Sequence, residues 1–314
     1  MKEERWVTDQ TANRRQTTGR ALAALPDYFR KTHNHNPQDG RNCAFQLGLE
    51  TPLHFFEYLT GDVAHKFHHH MASYRQGRPH WMDVGFYPVP SLVAGVTIGD
   101  DDTLLVDIGG GLGQDLQAFR HRWPDLPGRL VLQDRPEVIE RATQMKLDPS
   151  IILMSHDFFT DQKVQGKLVV QSPVGKKQKM KIMKIMKMKP KLIKNLSGAR
   201  VYYLHSVLHD WPDDQCRKIL LQNVAAMKPK HSKLLVHENV IPDTNAHWEK
   251  TSLDVVMMAN FGSRERTERQ WRQLLESASL QVKKIWTVRR DAESLIECEV
   301  PEHGDDCRRV LASR

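Results

Sequence analysis

The segment YYLHSVLHDWPDD, residues 202–214, holds two histidines and three aspartates directly after an apolar run. The apolar run is typical of a buried strand, and in α/β proteins reactive side chains lie at the carboxyl ends of strands. A histidine beside carboxylates is suited to general base catalysis, because imidazole has a pKa of about 6.5 and a carboxylate holds it in one tautomer. The spacing therefore favours His209, at the strand end, as a catalytic base.

Two further carboxylates stand where they can flank this histidine. Glu238, in VHENVIPD, ends another apolar strand, and Glu265, in GSRERTE, precedes a helix expected to start after Thr267. Both follow the pattern of side chains displayed at one edge of a sheet. We predict that they assist His209, and a base of this kind requires no metal.

A second group of histidines lies in DVAHKFHHHMASYRQG, whose apolar residues recur at the spacing of an amphipathic helix. The group consists of His65, His68, His69 and His70. These histidines lack companion ligands at a spacing typical of metal sites. The favoured interpretation is that one or two of them line an aromatic pocket, and no metal is predicted.

The stretch LLVDIGGGLGQD is typical of a strand, a glycine-rich turn and a helix. A nicotinamide dinucleotide is disfavoured, because its G-x-G-x-x-G fingerprint needs a glycine where Gln114 stands. A phosphate loop is also excluded, since no Lys followed by Ser or Thr occurs in the turn. The remaining interpretation is that the turn lets a ligand come close to the backbone of Gly109, Gly110 and Gly111. Asp107, on the strand side, could interact with a cationic amino-acid group.

Acidic residues end the next two predicted strands. Asp134 ends GRLVLQD, where a carboxylate can accept both hydroxyls of a ribose. Asp157 and Phe158 follow the third strand, where a carboxylate can bind the exocyclic amine of adenine and an aromatic ring can cover the base. An adenosine that carries an amino acid fits all three strand ends, which predicts S-adenosylmethionine as the cofactor. The alternative is that each acid merely caps a helix or turn.

A sulfonium methyl group beside a histidine base indicates methyl transfer to a hydroxyl. A phenol has a pKa of about 10, so proton transfer to imidazole is uphill by a few units. The transfer is still useful, because a phenolate attacks a sulfonium methyl group far better than a phenol does. Holding oxygen, methyl carbon and sulfur in line supplies the rest of the rate enhancement.

From residue 103 onward, apolar strands alternate with amphipathic helices, which predicts an α/β fold with a parallel sheet covered on both faces. No strand pattern precedes residue 100, so residues 1–95 are expected to form a helical module and residues 96–314 the cofactor-binding domain. Within the module, one helix is predicted with Pro26 near its start and another with Thr51 as its N-cap and Pro52 as its first residue.

Residues 163–197 interrupt this alternation with a repeat of lysine, methionine and isoleucine. The segment holds 11 lysines and no acidic residue, and its period of three matches neither a helix nor a strand. We expect a disordered insertion; a nuclear-import or membrane-binding patch is the alternative. Its A/T-rich codons suggest a retained intron or a repeat expansion.

The charge and the cysteines exclude several classes of protein. The net charge of +8 comes from the insertion, since without it 35 basic residues face 38 acidic ones. Nucleic-acid binding therefore loses its main support. Four scattered cysteines indicate a reducing compartment, and we expect a cytoplasmic protein. The N-terminal residues lack the apolar core of a secretory signal, and no apolar run is long enough to span a membrane.

The motifs LLVDIGGGLGQDL, GRLVLQDRPEVIE, HDFF, YYLHSVLHDWPDDQCRKIL, SKLLVHENVIPD and SRERTERQW resemble those of S-adenosylmethionine-dependent small-molecule O-methyltransferases. The resemblance is strongest to the fungal secondary-metabolite enzymes, which are related to plant caffeate and flavonoid O-methyltransferases. It implies a Rossmann-like class I methyltransferase sheet, His209 as base flanked by Glu238 and Glu265, and a phenolic or polyketide-derived acceptor. The residues expected to contact the cofactor are Asp107, Gly109, Gly110, Gly111, Asp134, Asp157, Phe158 and His205.

Three departures from the family pattern bear on function. The family often has Arg or Lys at the position of His205. Most of the family's dimer-forming winged-helix module is missing here. The lysine-rich insertion has no counterpart in the family. We therefore expect a truncated N-terminal module and leave dimer formation open. The alternatives are a truncated or mis-spliced homologue that keeps the fold without catalysis, and a nicotinamide oxidoreductase.

Overall fold

The computed structural model describes residues 17–74, 77–165 and 198–302. For residues 68–70 and 72–74 it describes the backbone alone. The helices are α1 (Thr18–Lys31), α2 (Ala44–Leu49), α3 (Phe55–Tyr58), α4 (Gly61–Tyr74), α5 (Gln114–Arg122), α6 (Pro136–Ala142), α7 (Asp213–Ala226), α8 (Trp248–Phe261) and α9 (Glu268–Ser277). The strands are β1 (Thr103–Ile108), β2 (Arg129–Asp134), β3 (Ile151–Ser155), β4 (Val201–His205), β5 (Lys233–Glu238), β6 (Val240–Ile241), β7 (Arg266–Thr267), β8 (Gln281–Trp286) and β9 (Ser294–Glu299).

Seven of these strands form one sheet in the order β3-β2-β1-β4-β5-β9-β8. The first five are parallel, whereas β9 runs antiparallel to both β5 and β8. The predicted α/β fold is confirmed, but the expectation of a wholly parallel sheet is wrong for β9. The short connection between β8 and β9 is the reason, because only antiparallel neighbours can be joined without a crossover.

Both faces of the sheet are covered, as the near-continuous apolar strands predict. On one face Ile219 and Leu220 of α7 and Trp271 of α9 pack against the strands in one buried cluster. On the other face Phe119 of α5 and Trp81 belong to a second cluster. The carboxyl ends of the parallel strands therefore open at one edge of a rigid sheet.

The N-terminal helices are packed against a helix that sequence patterns did not predict. Ala21 of α1, Phe45 of α2 and Phe55 of α3 share a buried cluster with Met257 and Phe261 of α8. No strand precedes Thr103 among residues 17–74 and 77–102, in agreement with the predicted helical module. The division at residues 95 and 96 into two domains remains a prediction.

Two predicted helix starts are wrong. Helix α1 begins at Thr18 and contains Pro26 in its interior, because the alanine-rich turn before the proline already favours helix. Helix α3 begins at Phe55 and is capped by His54 instead of Thr51, since the His54 ring accepts a hydrogen bond from the backbone N–H of Phe56. The predicted cap Thr267 of α9 is confirmed, with its hydroxyl accepting from Gln270 N at 3.4 Å.

One tyrosine contacts the chain at the start of the predicted insertion, residues 163–197, and just beyond its end. The Tyr202 hydroxyl donates to Val164 O at 2.7 Å and accepts from Ala199 N at 3.3 Å, and Val164 is fully buried. Residues 166–197 lie outside the described residues, so their predicted disorder stays a prediction. Among the described helices, none is long and apolar enough to cross a membrane.

Candidate active site

The carboxyl ends of the parallel strands border a cavity of about 1670 Å³. Eight of the predicted residues line it: Gly109, Gly110, Gly111, Asp134, Asp157, Phe158, His205 and Glu265. The other predicted residues, Asp107, His209 and Glu238, are buried beside this lining. All predicted site residues thus lie at one edge of the sheet.

His209 lies in the short turn that follows β4 and is 7% exposed. Its Nδ1–H donates to Glu265 Oε1 at 2.8 Å. The other ring nitrogen, Nε2, is 3.5 Å from Asp210 Oδ1, which is longer than an ordinary hydrogen bond. Glu265 therefore fixes the ring orientation, and Nε2 is the nitrogen left to accept a proton.

Glu238 holds the turn that carries His209. Its Oε1 accepts hydrogen bonds from the backbone N–H groups of Val207 at 3.0 Å, Leu208 at 2.8 Å and His209 at 3.4 Å. Its Oε2 is 3.7 Å from the Nδ1 of His209, and the side chain is fully buried. Glu238 therefore acts on His209 both through the backbone and through its charge.

Two functional residues were absent from the predicted catalytic group. Asp210 borders both the cavity and His209, and Asp254 of α8 accepts the backbone N–H of Glu265 at 2.8 Å. Asp210 could have been recognised from its position next to His209 in the sequence. Asp254 could not, because nothing in its local sequence marks it as a neighbour of Glu265.

The carboxylates around His209 change its protonation. Burial disfavours the imidazolium, but the charges of Glu238, Asp210 and Glu265 outweigh it and raise the pKa of His209 well above its ordinary value. Burial raises the pKa of Asp210 to about 7, although the charge of His209 opposes the shift. The groups therefore titrate as a coupled set. His209 is a stronger base than a free histidine, but it must lose a proton before it can act.

The glycine turn between β1 and α5 brings the backbone close to the cavity. Gly109, Gly111 and Gly113 all have positive φ angles, between 60° and 86°. A Cβ at Gly110 would lie 2.5 Å from the carboxyl carbon of Asp107. The Asp107 side chain is thus packed behind the turn, and its predicted contact with a ligand stays a prediction.

Asp134 ends β2 at the cavity wall. One carboxylate oxygen accepts from Gly111 N at 2.8 Å and the other from Arg135 N at 2.7 Å. Each oxygen keeps a further lone pair for a ligand hydroxyl. Burial raises the pKa of Asp134 to about 6, so the carboxylate is ionised at neutral pH.

The loop after β3 carries Asp157 and Phe158 into the same cavity. Asp157 is exposed, and its Oδ1 accepts from Phe159 N at 3.0 Å in a tight turn. The Phe158 ring packs edge-on against Phe159 at 5.0 Å. A Cβ at Gly109 would lie 3.7 Å from the Phe158 ring, so this ring lies beside the glycine turn.

His205 lies in a separate polar cluster at the end of β4. Its Nδ1 contacts Asp115 Oδ2 at 2.7 Å, and its Nε2 contacts Glu293 Oε2 at 3.0 Å. Its ring is 4.1 Å from that of His237, its partner in the β4–β5 register. Both ring nitrogens are therefore bound within the protein, and the predicted cofactor contact of His205 stays a prediction.

The histidines of α4 are placed only in part. His65 is exposed on α4, whereas the side chains of His68, His69 and His70 lie outside the described residues. Their predicted place in an aromatic pocket therefore stays a prediction. Among the described residues, ligand atoms of His205, His237 and Glu293, and of His209, Glu238 and Glu265, lie within 4.8 Å of one another.

Comparison with known proteins identifies the family. A family model described as an O-methyltransferase domain matches residues 178–281. The chain is 36% identical to methyltransferase cfoC of Aspergillus candidus over 282 residues, which cover 87% of this chain and 60% of that protein. It is 34% identical to O-methyltransferase mpaG of Penicillium brevicompactum over 286 residues, 89% of this chain and 63% of that protein.

These matches confirm the predicted resemblance to the S-adenosylmethionine-dependent O-methyltransferase family, and they do not support the nicotinamide alternative. The chain spans about 60% of the length of these curated relatives.

Solved structures that superpose on the chain support the same fold and cofactor. LepI in complex with S-adenosylmethionine superposes with a TM-score of 0.78 at 26% identity, covering 94% of this chain and 67% of that one. OxaC in complex with sinefungin and meleagrin superposes with a TM-score of 0.74 at 25% identity, covering 95% and 68%. These structures and the family match support S-adenosylmethionine as the cofactor, so the predicted cofactor is confirmed.

The cavity suits that cofactor. The buried carboxylate of Asp134 has acceptor capacity left for ribose hydroxyls. The exposed carboxylate of Asp157 and the ring of Phe158 line the same cavity as the glycine turn, and the Phe158 ring lies beside that turn. When bound, S-adenosylmethionine supplies a methyl group activated by a sulfonium.

Aromatic rings form another part of the cavity wall. The imidazole of His54 stacks on Trp211 with ring centroids 4.8 Å apart and planes 3° from parallel. Phe56 also packs against Trp211, with ring centroids 5.9 Å apart and planes at 29°. Phe67 and Phe159 also border the cavity. A flat aromatic ligand matches such a wall, because ring stacking adds to apolar burial.

Proposed function

We propose that the protein methylates a phenolic or polyketide-derived hydroxyl in secondary metabolism, with His209 as the general base. The observation that supports this most is the geometry of the His209 ring. Glu265 accepts the Nδ1–H at 2.8 Å, and Nε2 has no hydrogen bond to any described residue. In its neutral form the ring thus presents an acceptor nitrogen next to a cavity lined with aromatic rings.

The reaction proposed for this site has one proton transfer and one methyl transfer. The acceptor hydroxyl gives its proton to Nε2 of His209, and the resulting oxygen attacks the methyl carbon in line with the departing sulfur. Glu265 and Glu238 stabilise the imidazolium that forms, because both carboxylates face Nδ1. Glu238 also fixes the backbone of the turn, so the ring does not have to reorganise during the reaction.

The cofactor contacts are part of the same proposal. We assign Asp134 to the ribose hydroxyls, Asp157 to the adenine amine and Phe158 to the face of the base. The backbone of Gly109, Gly110 and Gly111 approaches the cofactor closely. Asp107 acts on the amino-acid end through the turn, and His205 acts on it indirectly, since its nitrogens contact Asp115 and Glu293.

Partners and location are also proposals. We infer a homodimer by analogy with the resembled family, and a cytoplasmic location from the scattered cysteines, of which Cys43, Cys216 and Cys298 are buried thiols. Size-exclusion chromatography coupled to light scattering measures the assembly state. A monomer at all concentrations would contradict the dimer.

A labelled-methyl assay tests the proposed function. The purified chain is incubated with S-adenosylmethionine labelled on the methyl group and with a panel of phenols and hydroxylated polyketides. We expect label in the acceptor and an equal amount of S-adenosylhomocysteine. Cofactor binding without transfer to any acceptor would favour the alternative, a homologue that keeps the fold without catalysis. Calorimetry with S-adenosylmethionine measures cofactor binding independently of turnover.

A further inference from the structure

Arg266 follows Glu265 directly and binds the turn that carries His209. Its side chain is fully buried. Nη1 donates to the carbonyl oxygen of Leu208 at 3.1 Å, and Nη2 donates to that of Trp211 at 2.9 Å. These two carbonyls lie on either side of His209 in the chain. The guanidinium therefore holds the turn both before and after the proposed base.

The turn is held through both kinds of backbone group. Glu238 accepts hydrogen bonds from the N–H groups of residues 207–209, whereas Arg266 donates to the carbonyls. The guanidinium is planar and presents its N–H donors in a rigid fork, so it also fixes the distance between the two carbonyls. Together the two side chains leave the turn little freedom to shift relative to the carboxylates around His209.

Other side chains that donate to these carbonyls are weaker or bind only one of them. The thiol of Cys216 lies 3.0 Å from the Leu208 oxygen and 3.1 Å from the Trp211 oxygen, but its single S–H is a weak donor. The hydroxyl of Ser263 donates to Trp211 alone, at 2.7 Å. Among the described residues, Arg266 is therefore the strong side-chain donor that bridges both carbonyls.

Arg266 is itself fixed to the segments that carry the two carboxylates. It belongs to β7, which pairs with β6, and β6 begins two residues after Glu238. The guanidinium carbon lies 5.1 Å from the centre of the Trp271 ring, and the indole N–H of Trp271 donates to the carbonyl of Asn239 at 2.8 Å. The guanidinium therefore joins the backbone beside Glu238 and Glu265 to the turn that follows β4.

Asp213 supplies the charge partner of Arg266. Its Oδ1 accepts from Nε at 2.9 Å and from Nη2 at 2.8 Å. Asp213 begins α7, so one guanidinium binds the chain at Leu208, Trp211 and Asp213. A lysine offers a compact ammonium without the planar fork, so it could not reach all three acceptors in this geometry. The choice of arginine therefore matches a role in fixing the turn.

We propose that Arg266 is a positioning residue, which sets the orientation of His209 relative to Glu265 and so determines the rate of methyl transfer. Its buried side chain acts through His209 and not by contact with the acceptor. This inference rests on the proposed function and deepens it, because it assigns what holds the base in place. A base displaced by about 1 Å should lower the transfer rate by roughly 100-fold.

Arg200 offers a matched control at the opposite end of β4. It directly precedes this strand, is 6% exposed, and also donates to two backbone carbonyls, those of Leu92 and His231. Arg200→Met and Arg266→Met therefore remove the same kind of interaction, and both should lower the midpoint of thermal unfolding. Only the second variant should change the proposed site.

Single-turnover methyl transfer and calorimetry with S-adenosylmethionine test the proposal, at a temperature where each variant is folded. The acceptor is a phenol that the unmodified protein methylates. We expect Arg266→Met to lower the rate by roughly 100-fold. Its affinity for S-adenosylmethionine should stay the same, because the predicted cofactor residues are untouched. Arg200→Met should leave both quantities unchanged.

A double-mutant cycle with His209→Gln separates positioning from a general loss of structure. If Arg266 acts through His209, Arg266→Met should cause no further loss of rate once the histidine is gone. A merely structural role would lower the rate by the same factor in both backgrounds. Arg266→Lys keeps the buried charge but not the fork, and it takes the place of Arg266→Met in the cycle if the latter does not fold.

The outcomes separate this inference from the proposed function. If the unmodified protein transfers no methyl group to any phenol, the proposed function is wrong, and this inference with it. If His209→Gln is slow but Arg266→Met slows transfer no more than Arg200→Met does, Arg266 does not position the base. A loss in Arg266→Met that adds in full to that of His209→Gln would also overturn the inference.

Discussion

His205 and His209 are four residues apart at the end of the same strand, yet the structure gives them different environments. Both are buried and both contact carboxylates. His205 uses its two ring nitrogens for Asp115 and Glu293, whereas His209 uses Nδ1 for Glu265, and no described residue forms a hydrogen bond with its Nε2. A general base needs a nitrogen that can receive the substrate proton, and only His209 has one available.

The comparison shows that residue type and carboxylate neighbours do not by themselves make a base. The His205 cluster also includes Tyr203, whose hydroxyl donates to Asp115 at 2.9 Å, and Ser206, whose hydroxyl donates to Glu293 at 2.9 Å. These bonds join β4 to α5 and to the segment before β9. The His205 cluster therefore stabilises the end of β4, and the turn that carries the proposed base His209 follows directly.

The largest expected effect is on catalysis. His209→Gln should lower methyl transfer by 10²–10⁴-fold, the usual contribution of a general base. The affinity for S-adenosylmethionine should barely change, because the variant leaves the cavity lining intact. Single-turnover transfer and calorimetry measure the two quantities separately. A normal rate on a phenol would show that His209 is not the base.

The same substitution at His205 should lower the stability of the protein instead of its catalytic rate. In His205→Gln a buried charge cluster loses its central member, and the free energy of unfolding should fall by about 3 kcal/mol. The single-turnover rate of the folded protein should stay within tenfold, since a general base contributes more than that. Denaturant unfolding measures the first effect. If the rate falls as far as in His209→Gln, the distinction between the two histidines is lost.

A smaller effect is expected at the cofactor. Asp134→Ala should weaken S-adenosylmethionine binding by about 2–3 kcal/mol, because a carboxylate is a strong hydrogen-bond acceptor. Since the pKa of Asp134 is raised to about 6, affinity in the unmodified protein should also fall as the pH drops below 6. Titration calorimetry at several pH values measures both. A pH-independent affinity that Asp134→Ala does not alter would remove Asp134 from the site.

The smallest effect is expected from the lysine-rich segment. Replacing residues 166–197 by a short linker should leave stability unchanged or raise it by about 1 kcal/mol, because a shorter loop costs less closure entropy. The chain on both sides already meets at the Tyr202 hydroxyl. A longer deletion from residue 162 should destabilise, since it removes buried Val164. Thermal unfolding compares the two, and a large loss in the shorter deletion would show that the segment packs.

Strand ends were the most predictable part of the molecule. The strands before Asp134, His209 and Glu238 are apolar almost throughout, and in a parallel sheet their carboxyl ends must meet at one edge. At these strand ends the apolar sequence pattern and the position of the strand in the sheet indicate the same place. The candidate cofactor and base residues could therefore be placed from the sequence. The same reasoning could not tell which nitrogen of each histidine is occupied.

The parts that could not be predicted depend on contacts between distant segments. Helix α8 has no side-chain N-cap, and Met257 and Phe261 are buried only because α1, α2 and α3 cover them. His54 caps α3 while it stacks on Trp211, a contact that joins segments far apart in sequence. No local spacing shows such pairs, and both Asp254 and His54 were missed for this reason.

The pH dependence of kcat/KM in the unmodified protein and in Glu265→Gln tests the central claim most directly. Carboxylates raise the pKa of His209 above 6.5, and the base acts only when neutral, so the rate should rise with pH above that value. Removing the charge of Glu265 should move the rising limb to lower pH and reduce the maximum rate. Ionisation of the phenol itself is the same for both proteins and cannot produce this shift. Rising limbs at the same pH in the two proteins would contradict the assignment of His209 as a base controlled by its carboxylates.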